Sequence, residues 1–476
     1  GTSSEKTPVD IPGQLNLFNE AEAEQDPFLP EEDFSEEPRP RKKKASHAEL
    51  FKGLTVHKQV IPLAEEDKIC PICGTPMERI GEEYVRRELV FTPARCEIYE
   101  YYTESYGCPN CKDGKGDTEK AVIIKSKAAP ALIGKGPASP STVAWTIYQK
   151  YANGMPLYRQ EKDWKEYGAA ISRTTLANWI IYSAEHYFRP LYDYFHRQLP
   201  QREFLMADET RVQVLKEPGR SAESQSFMWL FRTGEDGQPV ILLYGYTPTR
   251  SGNNAADFLD GFQGYLETDG YQGYNKVSGI KRCSCWAHIR RYFVDAIPKG
   301  KQLDYNQPAV QGVHYCDRLA RLESTITSKC GTDYEKRKQM RLEKEKPVLE
   351  AFWSWVDSQH PTRNTRLDKA LTYVKNRRET SMTYLEDGRC SFTNNLSENA
   401  IRPFTLGRKN WLFSDSVEGA QASAIAYTMV EMTKAHNLKI YSYLSYVLEQ
   451  RPDETWSDEQ LAELAPWSEK LQTLKI

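Results

Sequence analysis

Apolar and polar positions change rhythm several times along the chain, and each change marks a different kind of element. Between residues 203 and 285 the rhythm is short. EFLMADETRVQVL, SFMWLFRTG and QPVILLYGYT are dense in β-branched and aromatic residues and are separated by Gly, Pro and acidic turns, which predicts three strands. NNAADFLDGF then reads as a helix, and GYLETDG as a short strand closed by Asp-Gly. Three strands, a helix and a fourth strand are the order that opens a ribonuclease-H-like α/β sheet, in which the first and fourth strands lie side by side.

Elsewhere the spacing is helical. SPSTVAWTIYQKYANG ends at an Asn-Gly turn, PLYRQEKDWKEYG follows, and ISRTTLANWIIYSAEHYF begins with Ser172 placed as an N-cap. Residues 285–390 are charged and mainly helical, residues 418–450 read as two helices, and the tail reads as a loosely packed end. Residues 1–46 are acidic and Pro-rich without an apolar period, which predicts disorder apart from a short helix at LNLFNEAEAE. There is no internal repeat of solenoid length.

These shifts divide the chain into seven segments. Residues 1–46 form the acidic segment, 47–125 a segment that its cysteines, described below, mark as a zinc-finger domain, and 126–200 a helical segment that its helix-turn-helix candidate, described below, marks as a helical DNA-binding domain. Residues 201–298 are the first part of a ribonuclease-H-like core, 299–385 a helical insertion, 386–430 the completion of that core and 431–476 a C-terminal helical element. The expected class is a multidomain α/β protein. Its core carries a helical insertion and follows a zinc-binding domain and a helix-turn-helix-like domain. No apolar run approaches the ~20 residues that span a bilayer and no secretory pattern opens the chain, so a cytoplasmic protein without a membrane partner is expected, nucleoid-associated if the DNA-binding reading below holds.

Composition adds little: 476 residues with 39% hydrophobic and 12% aromatic content suffice for more than one core. Charge adds more. Residues 1–38 hold 11 acidic residues and one lysine, a net of −10; against −3 for the whole chain, the remainder carries +7. Basic residues cluster at RPRKKK (39–44), HIRRYF (288–293), KNRRET (375–380) and RPFTLGRKN (402–410), a distribution that suits a polyanion. Any one cluster is equally a solvated helix face.

Ten cysteines in a chain this long do not make a disulfide scaffold. Cys70 with Cys73 and Cys108 with Cys111 form two C-x-x-C turns, each able to point two thiolates at one cation. Together they make a closed structural Zn2+ site. Cys96, between them, reads as a buried small apolar residue. A second cluster, Cys283, Cys285 and His288, lacks an evident fourth ligand. The preferred account there is a helix whose His288, Arg290 and Arg291 face substrate or solvent.

WKEYGAAISRTTLANWI (164–180) has the form of two helices joined by a turn at Gly168. In a helix-turn-helix the start of the second helix meets base edges, which selects Arg173, Thr174, Thr175 and Asn178, with Leu176, Trp179 and Ile180 packing inward. An ordinary helical hairpin has the same appearance.

Asp208 follows the apolar run FLMA and Asp269 closes GYLETD. On neighbouring strands they would share a divalent cation, Mg2+ or Mn2+, with a third acid from a later helix. Glu398, Asp387 and Glu386 compete for that place. Asp260 falls on a helix, and Glu209 should point away from Asp208 by alternation. Glu398 has a structural alternative: with Asn395 as N-cap it sits where a capping-box acid would, in a short helix stopped or kinked by Pro403.

The phrases SEK and LFNEAE, CPICG…CPNC, PLYRQE, ISRTTLANW, ADET, TDGYQGY, CWAHIRRYF, NNLSENAIRPFTLGRKNWLF and GAQASA follow one another as in the insertion-sequence-66 family of bacterial DDE transposases. The chain resembles that family over nearly its whole length. The resemblance implies a catalytic triad of Asp208, Asp269 and Glu398, so it selects Glu398 over Asp387. It also implies binding to the element's terminal inverted repeats, strand cleavage by water and strand transfer to target DNA by a 3′-hydroxyl. Arg402, Arg408 and Lys409 are then expected to hold phosphates beside the metals. The expected partners are double-stranded DNA, further copies of the chain on DNA, and small accessory proteins of the same element. Family members carry a leucine-zipper-like coiled coil ahead of SEK, which predicts a truncated N-terminus here. The alternatives are a zinc-dependent DNA-binding protein with a decayed core and a nuclease without strand transfer. If the triad is right, its three carboxylates should converge within metal-bridging reach even without metal, and Glu398 should turn away from the cap.

Overall fold

The structure is a computed structural model that describes residues 96–97, 99–100, 105–107, 123–125, 130–134, 136–298 and 305–474. These fall in one compact unit. Two short strands, β1 (Ser105–Gly107) and β2 (Ile123–Lys125), pair antiparallel. Four helices follow: α1 (Pro140–Ile147), α2 (Leu157–Glu166), α3 (Arg173–Ser183) and α4 (Arg189–Gln198). The expected Asn-Gly turn is present, with Gly154 at φ 66°. Gly168, at φ 85°, makes the turn between α2 and α3, a backbone region that glycine enters without a Cβ penalty. Ser172 caps α3 by accepting the Thr175 N–H at 3.1 Å. Leu176, Trp179 and Ile180 are buried, and Arg173, Thr174 and Asn178 are exposed.

The central sheet holds β3 (Phe204–Lys216), β4 (Gln225–Thr233), β5 (Leu242–Thr247), β6 (Gly264–Thr268), β7 (Ile280–Ser284) and β8 (Ser414–Ser416). Its order is β5-β4-β3-β6-β7, with β8 on the far end of β3. β3, β4 and β5 run antiparallel in turn, whereas β6 lies parallel to β3 and β7 parallel to β6. Helix α5 (Gly252–Phe258) connects β5 to β6. The four strands and the helix read from the 203–269 pattern are all present. β7 was not expected: IKRCS is short and carries Lys281 and Arg282 in its middle, so it lacks an apolar period.

Beyond the sheet lie α6 (Trp286–Ala296), α7 (Pro308–Cys330), α8 (Tyr334–Lys344), α9 (Lys346–Ser358), α10 (Arg366–Lys375) and α11 (Arg378–Met382). The last helices are α12 (Asn395–Trp411), α13 (Val417–Ala435), α14 (Ile440–Gln450), α15 (Asp458–Leu464) and α16 (Glu469–Leu474). Two cores form. Leu205 and Ala207 of β3 join a core with α1–α5 and α12–α16, and Phe204 joins a second with α6, α7, α9 and α10, as alternation along a strand requires. α13 is buried along most of its length.

Two expectations are corrected here. α12 does not stop at Pro403; it runs on to Trp411. One missing N–H removes one helical bond, while Ile401 and Phe404 stay buried on either side and the Phe404 ring packs 5.4 Å from Tyr427. The tail is not loose. Leu461, Leu464 and Leu471 are buried, and the Tyr443 hydroxyl donates to the Leu464 carbonyl at 2.9 Å. Among the described residues no helix is long and apolar enough to cross a membrane. The acidic segment, its LNLFNEAEAE helix and the C-x-x-C cysteines lie outside the described residues. Cys96 is exposed rather than buried.

Candidate active site

β3 and β6 pair in parallel with Leu205 opposite Leu266 and Met206 opposite Glu267. Continuing that register by two residues sets Asp208 opposite Asp269, the first residue beyond β6. The apolar run Phe204–Ala207 on β3 and Leu266, Glu267 and Thr268 on β6 are buried up to these acids, so the carboxylates emerge at one end of the pairing.

The loops around them are tied together by backbone groups. The Cys285 N–H donates to the Thr268 carbonyl at 3.3 Å, and the Asn394 N–H donates to Cys285 Sγ at 3.1 Å. The Asn394 side-chain amide donates to the Ala207 carbonyl at 3.1 Å. The residues preceding Asp208 and Asp269 are thereby joined to the starts of α6 and α12. The turn after Asp269 is clamped as well: Arg282 donates to the Asp269 carbonyl at 3.0 Å and Arg377 to the Gly270 carbonyl at 2.5 Å.

Glu398 sits in the first turn of α12. Asn394, not Asn395, occupies the N-cap position, and no side chain caps the helix. With the cap at Asn394, Ser397 rather than Glu398 stands at the third helical position, so the expected capping box does not form. The Glu398 carboxylate instead meets His288 Nε2 at 3.0 Å.

The Asp208 carboxyl is strongly perturbed. Burial first, then the negative charges of Glu209, Asp269 and Glu398, hold its carboxyl well above the usual carboxylate range; the Glu209 N–H on its Oδ1 pulls the other way. Glu209, on the opposite side of the strand, is held by Arg250 at 2.7 Å and by the Tyr274 hydroxyl. Burial and then Asp269 raise its carboxyl also. Arg250 reaches on to Asp269 at 3.9 Å and stacks over Tyr271.

The donor set of Asp208 and Asp269 is oxygen only, which suits a hard cation such as Mg2+. A cation there would also relieve the repulsion that lifts Asp208. The three triad carboxylates do not close into one ligand set: among the described residues, the group whose ligand atoms all lie within 4.8 Å of one another is Cys285, His288 and Glu398. Within that group the Glu398 carboxylate is paired with the His288 imidazole.

The competing acids are engaged elsewhere. Glu386 pairs with Lys281 at 2.5 Å, Asp387 with Arg389 at 2.9 Å, and Asp260 is exposed. The basic clusters are partly structural. Arg290 pairs with Asp317 at 2.6 Å, and Arg378 pairs with Asp357 at 3.0 Å and lies over Trp353. His288 faces Glu398 rather than open solvent, with 19% of its side chain exposed. Arg402 and Lys409 are half-buried on α12, as Arg291 is on α6. Arg408 reaches back to the Thr210 hydroxyl at 3.3 Å, two residues along β3 from Asp208.

Arg250, Tyr274, Arg377 and Asn394 were not singled out in the sequence. Arg377 lay in the KNRRET cluster, Tyr274 in TDGYQGY and Asn394 in the Asn-Asn pair beside SENAIRP, but nothing local pointed to Arg250.

Residues 135–422, well over half the chain, match the family described as "Transposase IS66 family". That span contains Asp208, Asp269 and Glu398. Residues 67–112 match the "zinc-finger binding domain of transposase IS66", which includes all four C-x-x-C cysteines and supports a zinc site. Among curated relatives, the "Uncharacterized protein y4qI" of Sinorhizobium fredii is 27% identical over 91% of this chain and 78% of its own length. "Uncharacterized protein y4jD" of the same organism is 26% identical over 85% and 79%. With the core and the zinc segment matched in the order the phrases predicted, the chain belongs to the IS66 family of transposases.

Proposed function

We propose that the protein is a DDE transposase that binds the terminal inverted repeats of its element and catalyses strand cleavage and strand transfer through Asp208, Asp269 and Glu398. The observation that carries this is the parallel β3–β6 pairing, which sets Asp208 opposite Asp269, with α12 bonded to β3 at the residue before Asp208. The strand order, three antiparallel strands followed by two parallel ones beside the first, supports a ribonuclease-H-like core with α7–α11 as its insertion.

Asp208 and Asp269 would hold Mg2+ or Mn2+ jointly, with Glu398 completing the set. Bound there, the cations would supply charge stabilisation for an in-line displacement at phosphorus and lower the pKa of the attacking oxygen. The protein's own part is to hold and shield. β3 and β6 fix the spacing of the aspartates, Arg250 offsets part of their charge, and Arg408 and Arg402 sit where DNA phosphates would pass. In cleavage, water oxygen bonds to phosphorus, the bond to the 3′-oxygen breaks, and a 3′-hydroxyl is freed. In transfer, that hydroxyl attacks a target phosphodiester, and a new 3′-hydroxyl leaves on the target strand. No bond to the protein forms in either step. The exposed start of α3, with Arg173, Thr174, Thr175 and Asn178, would meet the element ends, and the zinc finger of Cys70, Cys73, Cys108 and Cys111 would add a second contact.

The test is joining of a pre-cleaved element end to target DNA. The expected result is joining that requires Mg2+ or Mn2+ and falls by roughly 10³-fold or more in Asp208→Asn. Cleavage without joining, by protein fully active as a nuclease, would show that strand transfer is not its reaction.

A further inference from the structure

Cys285 stands between β7 and α6, and His288 lies three residues later in the first turn of α6. The Cys-x-x-His spacing turns both side chains to one side of the helix start. Glu398 enters from the first turn of α12. Sγ, Nε2 and a carboxylate oxygen all lie within 4.8 Å of one another, and Nε2 is 3.0 Å from the carboxylate. Ligand atoms around one tetrahedral zinc stand roughly 3.3–3.6 Å apart, so a small inward movement of the sulfur closes the set.

The donors are one sulfur, one nitrogen and one oxygen. A hard cation such as Mg2+ has no preference for thiolate, whereas zinc and its neighbours take all three. Three protein ligands also leave a fourth position for water, and His288 and Glu398 each keep 19% of their side chains open to it. Cys285 is buried, and its sulfur already accepts the Asn394 N–H, a bond that stabilises a thiolate. Cys283 takes no part: it is buried against Cys390 at the end of β7. Glu398 therefore takes the place that Cys283 does not fill, and the set has three protein ligands.

We propose that Cys285, His288 and Glu398 form a binding site for one divalent cation of the zinc class, and that filling it withdraws Glu398 from the two aspartates and stops strand chemistry. On binding, the Cys285 S–H bond breaks, its proton leaves to solvent, and a sulfur–metal bond forms. A metal-bound cysteine is a thiolate, so release of that proton accompanies occupancy. The binding half stands on the cluster alone; the inhibitory half rests on Glu398 being the third acid.

The binding half is tested by titrating Co2+ into the full-length, zinc-loaded protein. A further equivalent should bind with a near-ultraviolet sulfur-to-cobalt charge-transfer band. The band should be lost in Cys285→Ser and in Cys285→Ala, each checked for folding by its melting temperature. A band of equal intensity in wild type and both variants, or no added band at all, overturns the site. The inhibitory half is tested in the joining assay with Mg2+ in excess. Micromolar Zn2+ should suppress joining in the wild type, and Cys285→Ser should need about tenfold more Zn2+ for the same loss. Equal sensitivity of the two proteins overturns inhibition through this site. A wild type that joins nothing even without Zn2+ would sink the transposase proposal and with it the inhibitory half, leaving the cobalt band to decide the site alone.

Discussion

Asp208 is a carboxylate placed where folding would not choose to put one. Its carboxyl is raised by burial and by three neighbouring acids, so the folded chain holds that proton more tightly than the unfolded one. The sign follows: this group's contribution to stability is fully present below the unfolded value near 3.8 and is lost as pH rises through the folded value. As pH rises, and without divalent cations, Asp208 contributes less to stability than a side chain that does not ionise. Asp208→Asn should therefore raise the melting temperature by about 1–2 °C at pH 7 in Mg2+-free buffer, with the gain fading toward pH 4. Added Mg2+ or Mn2+ should stabilise the wild type and leave the variant unmoved, by mass action on a site that only the wild type retains. Thermal denaturation against pH and cation reads both effects. An asparagine variant that melts lower than the wild type at pH 7 would mean that Asp208 is a structural group.

At the scale of elements, the site depends on the β3–β6 pairing, and that pairing depends on Gly264. A Cβ there would meet the carbonyl and backbone of Glu203, in the place where the Tyr265 N–H donates to the Glu203 carbonyl at 2.8 Å. Backbone cannot swing aside as a side chain can. Gly264→Ala should destabilise by about 1–3 kcal/mol and reduce joining out of proportion to the protein still folded, because Asp269 would lose its place opposite Asp208. Calorimetry and joining on the same preparation measure the two effects. Unchanged stability and joining would mean that the register is not what sets the aspartates. The strands on either side of that glycine were legible because a half-buried sheet writes a dense apolar pattern into sequence. β7 was not, since Lys281 and Arg282 interrupt so short an element. Pro403 misled for the opposite reason: its local rule held, but packing of Ile401 and Phe404 outweighed one lost hydrogen bond. The meeting of His288 with Glu398 joins residues 110 positions apart, and no local pattern carries such a contact.

For the whole molecule, the charge imbalance between residues 1–38 and the rest pointed to a polyanionic partner, but it did not say which arginines are free to meet one. Arg377 is engaged at the Gly270 carbonyl, and Arg290 and Arg378 are in exposed ion pairs with Asp317 and Asp357, whereas Arg173 is exposed at the start of α3 without a carboxylate on its guanidinium among the ion pairs of the described residues. Arg173→Ala should weaken binding to an element end and reduce the slope of log affinity against log salt by about one unit, as fluorescence anisotropy across a salt series would show. An unchanged slope would make α2 and α3 an ordinary helical hairpin. The central claim is that three acids from distant stretches of chain serve one cation centre, and the most direct measurement is anomalous diffraction from crystals of the protein on an element end with Mn2+. The expected result is a manganese peak bonded to both Asp208 and Asp269, with Glu398 swung from His288 into the same centre. Manganese bound away from the two aspartates, or Glu398 still on His288 with the aspartates occupied, would contradict the account.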